Sequence, residues 1–398
     1  MKKALTLVFL FCTSSGWCQS IILSPQAEIS VITCGPGADE LYSAFGHSAI
    51  RIQDPANNIN YAYNYGVFDF DQPNFYLNYT KGLLLFKLGV YAYPDFVKSY
   101  VYYNRWVTEQ VLDLSPQQKQ KIFDFLEWNA LPENETYRYD YFYNNCANKV
   151  RDVFVEQLGD SIQFDGSYVT THYSLRDLTD IYLVDQPWGD LGIDICLGLP
   201  IDKKATPYEY MYLPDYVLSG FDHATISRNG QAVPIVKQKI SVFVNKPREV
   251  TPAPVHPWTI FGGFLFLTIL LSLYDAWRKR VSLWFDVILF VIVGAVGVLL
   301  LLLWTATDHA AAANNFNLVW ALPTNLFILG VLSSRTREMV RKYFLGVAIL
   351  ELILLVTWSF VPQHMNIFLI PFVAALLIRA IVIYRWLPPT TPVSQTGA

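Results

Sequence analysis

The stretch that decides the fold is Tyr141-Phe-Tyr-Asn-Asn-Cys-Ala-Asn-Lys-Val-Arg-Asp152. An aromatic run typical of a strand or loop stops at two asparagines, and a helical pattern with Val150, Phe154 and Leu158 on one face follows. Cys146 therefore lies in the first turn of an amphipathic helix, where backbone N–H groups and the helix dipole favour a thiolate. The pattern predicts a catalytic cysteine; a cysteine that packs as a small hydrophobe is the alternative.

A second motif, Leu41-Tyr-Ser-Ala-Phe-Gly-His-Ser-Ala-Ile-Arg-Ile52, alternates like a strand with one packed face. A turn cluster leads to a second candidate strand, Ile59-Asn-Tyr-Ala-Tyr-Asn-Tyr-Gly66. If the two strands form a hairpin, residues whose numbers sum to about 113 face each other, which puts Asn64 on the face of His47. His47 is then the base for Cys146, and the amide oxygen of Asn64 fixes the ring tautomer. A histidine that only packs within its strand is the alternative.

The composition indicates a protein with an exported part and a membrane part. Of 398 residues, 53% are hydrophobic and 16% charged, which is too apolar for a purely soluble protein and too mixed for a purely membrane one. Met-Lys-Lys, an apolar run and small residues predict a signal peptide over 1–18. The net charge of −4 provides no basic field for nucleic acid.

The pattern divides the mature chain into an exported domain over 19–250, a proline-punctuated linker over 251–257, a transmembrane domain over 258–385 and a cytoplasmic tail over 386–398. Five apolar stretches of spanning length are predicted, at about 258–274, 283–304, 318–333, 343–360 and 367–384. Pro323 and Asn325 lie inside the third. Lys and Arg cluster after spans one and three, so those connections are cytoplasmic and the exported domain lies outside.

Several exported segments have weaker signals. Residues 28–33 and 105–114 alternate as strands, and Ser115-Pro116 begins a helix. Residues 188–198 have strand and turn character. The apolar, aromatic stretch 74–93 forms either core strands or a surface lowered onto lipid, with Lys81 and Lys87 near headgroups.

Cysteine and histidine usage indicates a free thiol and no metal centre. Removal of the signal peptide leaves Cys34, Cys146 and Cys196, so one thiol stays free even if Cys34 and Cys196 pair. His172 and His223 lack metal-ligand spacing, and there is no His/Cys cluster or glycine-rich nucleotide loop. We predict no metal and no cofactor.

Polar residues in and beside the membrane are further candidates. The outward loops carry His309, Asn315 and His364, which either bind a headgroup or are simply solvated. Glu351 lies near the centre of the fourth predicted span, where it either pairs with Arg379, is protonated or has a function.

Taken together, the motifs resemble a known family. A histidine on a strand about 100 residues before a cysteine at a helix start resembles the circularly permuted papain-like fold of the NlpC and lecithin-retinol acyltransferase type. The motifs at 42–51, 63–70, 109–114 and 139–152 more closely resemble the Lnb family of lipoprotein N-acyltransferases. The resemblance continues through Trp188-Gly-Asp-Leu-Gly-Ile-Asp194, Asp308-His309 and Asn315-Phe-Asn-Leu318.

The resemblance implies an α+β permuted papain-like domain followed by an all-α membrane domain of five helices. It implies transfer of an acyl chain from a glycerophospholipid to the N-terminal amine of a diacylglyceryl-cysteine lipoprotein, at the outer face of a bacterial inner membrane. Cys146 and His47 match the family's catalytic pair, and Asn64 is the predicted third member. Candidate substrate-binding residues are Asn145, Tyr143, Arg51, His309 and Asn315.

Two other functions remain open from the sequence. The first is a membrane-tethered thiol hydrolase, either a phospholipase or a peptidoglycan endopeptidase; a phospholipase differs from a transferase only in whether water reaches the thioester before the amine. The second is a non-catalytic lipid or lipoprotein chaperone with a relic site.

Overall fold

The computed structural model describes residues 21–37, 40–68, 71–247 and 255–388. The predicted signal peptide, most of the predicted linker and most of the predicted tail lie outside these residues.

The chain up to Phe243 forms an α+β domain. Its strands are β1 (Glu28–Cys34), β2 (His47–Asp54), β3 (Ile59–Val67), β4 (Leu85–Ala92), β5 (Val107–Leu112), β6 (Thr136–Arg138), β7 (Ile162–Gln163), β8 (Thr225–Arg228), β9 (Gln231–Pro234) and β10 (Val236–Phe243). Its helices are α1 (Phe75–Lys81), α2 (Tyr93–Tyr102), α3 (Pro116–Asn129), α4 (Cys146–Leu158), α5 (Leu175–Leu183), α6 (Pro187–Cys196), α7 (Pro207–Tyr210) and α8 (Pro214–His223).

A seven-stranded antiparallel sheet in the order β10-β5-β1-β2-β3-β4-β6 organises this domain. Alternate residues of β1 face opposite sides, as the strand period requires. Ile29 and Val31 pack into a core with α3, α4 and α8, whereas Ile32 and Cys34 pack on the other face with Phe96 of α2. The sheet is therefore covered by helices on both faces.

The predicted hairpin register is confirmed over its paired part. Ile50 pairs with Tyr63 and Asp54 with Ile59, and the numbers in each pair sum to 113. The ladder ends at Ile50 and Tyr63, before it reaches His47. The predicted strands at 28–33 and 105–114 are also present as β1 and β5, and Ser115 caps α3 by accepting from the Gln118 N–H.

Two segments differ from their predicted structure. Residues 188–198 were predicted as strand and turns, but they lie mostly in α6, whose Pro187, Leu191 and Asp194 form one buried face at helical spacing. The glycines in this segment suggest turns, yet Gly189 lies inside the helix, where a Cβ would come within 2.6 Å of the Leu41 side chain. The stretch 74–93 contains α1 as well as strand β4.

The second part of the chain is a helical membrane domain. Among the described residues, four helices are long and apolar enough to span a bilayer: α9 (Pro257–Arg278), α10 (Leu283–Thr305), α11 (Arg337–Thr357) and α12 (Ile370–Trp386). The third predicted span is a shorter apolar segment, Phe316–Leu332, made of 3-10 turns. Pro323 lacks an N–H donor there, and Asn325 is buried with its amide on the Trp320 carbonyl. The expected five membrane helices are thus not confirmed.

A buried ionic cluster joins three of the membrane helices. Arg379 of α12 donates to both carboxylate oxygens of Asp286 at 2.7 Å and to Asp275 at 2.8 Å, and all three residues are at most 2% exposed. Arg379 therefore pairs with these aspartates, and the ion pair between Glu351 and Arg379, one of the alternatives for Glu351, does not form. Glu351 is buried, and neither carboxylate oxygen has a hydrogen-bond partner among the described residues.

We predict that Arg379→Gln destabilises the protein by about 3–5 kcal/mol, because it leaves two buried carboxylates without a counter-charge. The measurement is the thermal unfolding midpoint in detergent micelles, with Arg385→Gln as the matched control at an exposed position of the same helix. Equal midpoints for the two variants would show that the cluster does not hold the helices together.

Candidate active site

The start of α4 is held by a capping box that is itself buried. The Asn145 side chain accepts from the Asn148 N–H at 3.0 Å, and the Asn148 side chain accepts from the Asn145 N–H at 3.0 Å. The Asn145 amide also donates to the carbonyls of Tyr141 and Tyr212, at 2.8 Å each. Cys146 is the first residue of the helix, as predicted. Because these contacts occupy the Asn145 amide, they favour a positioning role over the predicted substrate contact.

Two glycines bring His47 to Cys146. Gly46, at φ 80°, turns the chain immediately before β2, and a Cβ there would lie 2.8 Å from the Cys34 carbonyl oxygen. Gly66, at φ 90°, lies at an irregularity of β3 beside both side chains, where a Cβ would be 3.4 Å from the Cys146 Cβ. The positive φ favours glycine at both positions, and at Gly46 the approach to the Cys34 carbonyl also leaves no room for a Cβ.

The predicted side chains meet around the imidazole. His47 Nε2 lies 2.5 Å from Asn64 Oδ1, so the Nε2–H donates to the amide oxygen. The other ring nitrogen, Nδ1, is left for the hydrogen bond with Cys146. The ring also stacks on Tyr100 of α2, with centroids 6.2 Å apart. The structure therefore brings Cys146, His47 and Asn64 together.

The electrostatics of the pair favour the ionised thiol. Burial opposes the thiolate, but the charge of His47, its hydrogen bond and the backbone N–H groups of Ser48 and Ala147 outweigh it, so the pKa of Cys146 is lowered. Burial likewise lowers the pKa of His47, but the Cys146 charge and the hydrogen bonds with Cys146 and Asn64 raise it overall. Both shifts stabilise a thiolate–imidazolium pair, which is the reactive state of a thiol nucleophile.

The other two described thiols are not activated in this way. Cys34, Cys146 and Cys196 are free cysteines, so Cys34 and Cys196 do not pair. Burial raises the pKa of Cys34 and that of Cys196, which keeps both protonated. Within the described residues, Cys146 is the thiol that the surroundings activate.

Two further predicted substrate-binding residues lie in the exported domain. Arg51 donates to both oxygens of Glu109 at 2.9 Å and to Asn60 at 3.0 Å, contacts that favour a structural role. Tyr143 is 40% exposed on the turn before α4, and its role stays a prediction.

The two predicted residues of the outward loop contact the exported domain, not Cys146. His309 Nε2 donates to the Tyr79 carbonyl at 3.1 Å. Asn315 is buried and donates to the Ile195 carbonyl at 2.8 Å. Their contacts support a role in holding the two domains together.

An acidic cluster that the residue pattern did not reveal lies at the domain interface. Carboxylate oxygens of Asp180, Asp190 and Asp194 lie within 4.8 Å of one another. Arg176 donates to Asp194 at 2.5 Å, and Asn366 of the outward loop donates to both Asp190 and Asp194 at 3.0 Å. Through the hydrogen bonds from Asn366, the cluster joins the exported domain to the membrane domain. The three aspartates come from α5 and α6, and the misassigned α6 concealed their common face.

The protonation of an aspartate is part of this contact between the domains. Burial and the charges of Asp194 and Asp190 raise the pKa of Asp180 to about 9, and burial and the Asp194 charge raise the pKa of Asp190 to about 6. At neutral pH Asp180 therefore carries a proton, which lets it lie beside another carboxylate.

Residues 15–180 match the family model described as the Lnb N-terminal periplasmic domain, and residues 249–387 match the Lnb transmembrane domain. No curated protein and no solved structure matches the chain significantly.

We predict that Cys146 reacts with iodoacetamide below the pH range of an ordinary thiol, which ionises near pH 8.5. In His47→Ala the charge and the hydrogen bond of the imidazole are lost, and only the backbone N–H groups of Ser48 and Ala147 still oppose the effect of burial on the thiol, so the midpoint of alkylation moves to higher pH. Peptide mass spectrometry after timed alkylation measures both midpoints, and His172→Ala, at an exposed histidine, is the control. Identical midpoints in wild type and His47→Ala would contradict the pairing.

We also predict that Asp180 makes the stability pH-dependent. An unfolded aspartate has a pKa near 3.9, and the folded value is about 9. The contribution of Asp180 is thus fully present below about pH 4 and is lost as the pH rises towards 9. Asp180→Asn should unfold at a higher temperature than wild type at pH 9 but not at pH 4. Asp185→Asn, at an exposed position, is the control. An equal difference in unfolding temperature between Asp180→Asn and wild type at both pH values would contradict the raised pKa of Asp180.

Proposed function

Because the chain belongs to the Lnb family, we propose that it is a lipoprotein N-acyltransferase in which Cys146 carries the acyl group as a thioester. Membership of this family fits a membrane-bound enzyme with a periplasmic N-terminal domain. The observation that carries the proposal is the contact of Cys146, at the helix start, with His47, whose far nitrogen is held by Asn64. The same arrangement supports a permuted papain-like fold, with the histidine strand before the cysteine helix.

The first half-reaction loads the enzyme. His47 holds the proton of the Cys146 thiol, and the thiolate attacks the carbonyl carbon of a glycerophospholipid ester. The N–H groups of Ser48 and Ala147, which already point at the sulfur, lie where they can stabilise the oxyanion. The ester C–O bond breaks, His47 returns its proton to the leaving oxygen, and lysophospholipid departs.

The second half-reaction transfers the acyl group. The N-terminal amine of the diacylglyceryl-cysteine lipoprotein attacks the thioester carbonyl, and His47 takes a proton from the amine. The C–S bond breaks, an amide forms, and Cys146 and His47 return to their starting state. Asn64 holds the imidazole so that one nitrogen serves both steps.

Both substrates have acyl chains in a bilayer, which gives the membrane domain a purpose. It fixes the exported domain against the lipid surface through the Asn366 and Asn315 contacts. The nucleophile is thereby held at a constant height above two membrane-bound reactants, which lowers the entropic cost of their encounter.

The test is intact-mass spectrometry of a diacylglyceryl lipopeptide incubated with phospholipid and the full-length protein. We expect a mass gain of one acyl chain on the amine with wild type and with Cys196→Ala, and none with Cys146→Ala. Free fatty acid and lysophospholipid without amide would indicate a phospholipase. No reaction of either kind would favour the peptidase or the chaperone.

A further inference from the structure

Helix α1 presents an apolar and aromatic surface that the other described residues leave exposed. Tyr76 is 78% exposed, Tyr79 61% and Leu77 51%, and Leu83, just after the helix, is 40% exposed. This concentration of large apolar side chains on seven helical residues and the following turn is unusual for a surface in water.

The end of α1 is fastened to the outward loop that follows α10. The Asp308 N–H donates to the Lys81 carbonyl at 2.9 Å, and His309 donates to the Tyr79 carbonyl at 3.1 Å. Gly82 lies so close to this loop that a Cβ there would be 3.2 Å from the backbone of both Asp308 and His309. Arg138 adds an ion pair with Asp308 at 2.5 Å.

These contacts set the height of α1 relative to the bilayer. Helix α10 has 23 residues, so it spans roughly 34 Å at 1.5 Å per residue, about the thickness of the hydrocarbon core. Asp308 follows its last residue, Thr305, by only three positions. The exposed side chains of α1 are therefore held at the level where the chain leaves the membrane, and Lys81 is exposed beside them.

A continuous series of aromatic rings leads from α1 towards the thiol. Neighbouring centroids are 4.0–6.5 Å apart along Tyr79, Phe75, Phe68, Phe86 and Tyr139. Tyr139 ends the series, and the charge of Cys146 adds to the larger effect of burial in raising its pKa. Aromatic faces of this kind suit the methylene groups of a lipid chain.

We propose that α1 and the turn after it lie in the headgroup region of the outer leaflet and form the entrance through which a lipid acyl chain reaches Cys146. The occupant of this surface is the bilayer, because the surface is continuous with the end of a membrane helix. The acyl-chain path rests on the proposed function; the membrane contact of α1 does not.

The membrane contact is tested with the full-length protein in nanodiscs of phosphatidylethanolamine and phosphatidylglycerol. Tyr76→Cys and Ile22→Cys, each made with Cys146→Ala, carry a fluorophore at positions that are both 78% exposed. Ile22 is a matched control because its carbonyl accepts from Asn57, at the far end of the β2–β3 hairpin from His47. Lipids with a nitroxide on the upper acyl chain should quench the label at 76 several-fold more than the label at 22. Equal quenching would overturn the proposal.

The path is tested by Tyr76→Asp, which places a charge in the apolar surface. We expect acyl transfer from bilayer phospholipid to fall roughly tenfold, with the alkylation rate of Cys146 unchanged as a sign of an intact site, and no fall with Ile22→Asp. An unchanged transfer rate in Tyr76→Asp would overturn the entrance. If wild type itself transfers no acyl chain, the proposed function fails, and the quenching result still decides the membrane contact.

Discussion

The buried cap of α4 is the constraint on which the site depends. Asn145 makes hydrogen bonds in three directions: along its own helix, back to Tyr141 and across to Tyr212. The helix can therefore begin only at Cys146, and the sulfur lies among backbone N–H groups that have no helical acceptor. A cap on the surface would avoid the free-energy cost of desolvation. It would also be less rigid, because water would compete for each hydrogen-bond donor.

The second requirement is that a buried thiol ionise. Burial alone works against this, as Cys34 shows, whose surroundings raise its pKa. Cys146 differs because an imidazole and two backbone N–H groups converge on it. The imidazole is in turn held by Asn64, which a glycine-containing irregularity of β3 leaves free to reach it. Polar groups fixed in advance thus replace the water that would otherwise stabilise the charge.

The contact between the two domains also depends on polar groups that are fixed in place. This contact uses charged and amide groups: Arg176 and Asn366 meet Asp194, and Asp180 stays protonated beside Asp190. Because such contacts are directional, they fix orientation as well as distance, which an apolar interface of equal area does less well. Orientation matters here because α1 must meet the lipid surface while Cys146 stays within reach of it.

The amino-acid sequence alone determined the elements that carry the proposed site. Cys146 at a helix start follows from the asparagines before it, and the register of the β2–β3 hairpin follows from a strand period of two and the position of the turn. Such features are local, so neighbouring residues specify them. The four long membrane helices are equally local, since their length and apolarity suffice.

Only the tertiary structure decided the rest. Phe316–Leu332 is as apolar as a span, but Pro323 and the packing around Asn325 give it short 3-10 turns. Helix α6 was misassigned because Gly189, which suggests a turn, lies inside the helix close to Leu41, a contact distant in sequence. The pairing of Arg379 with two aspartates and the contact of α1 with the outward loop likewise join residues far apart in the chain. A residue pattern records which side chains are apolar or charged, but only the folded chain determines which of them meet.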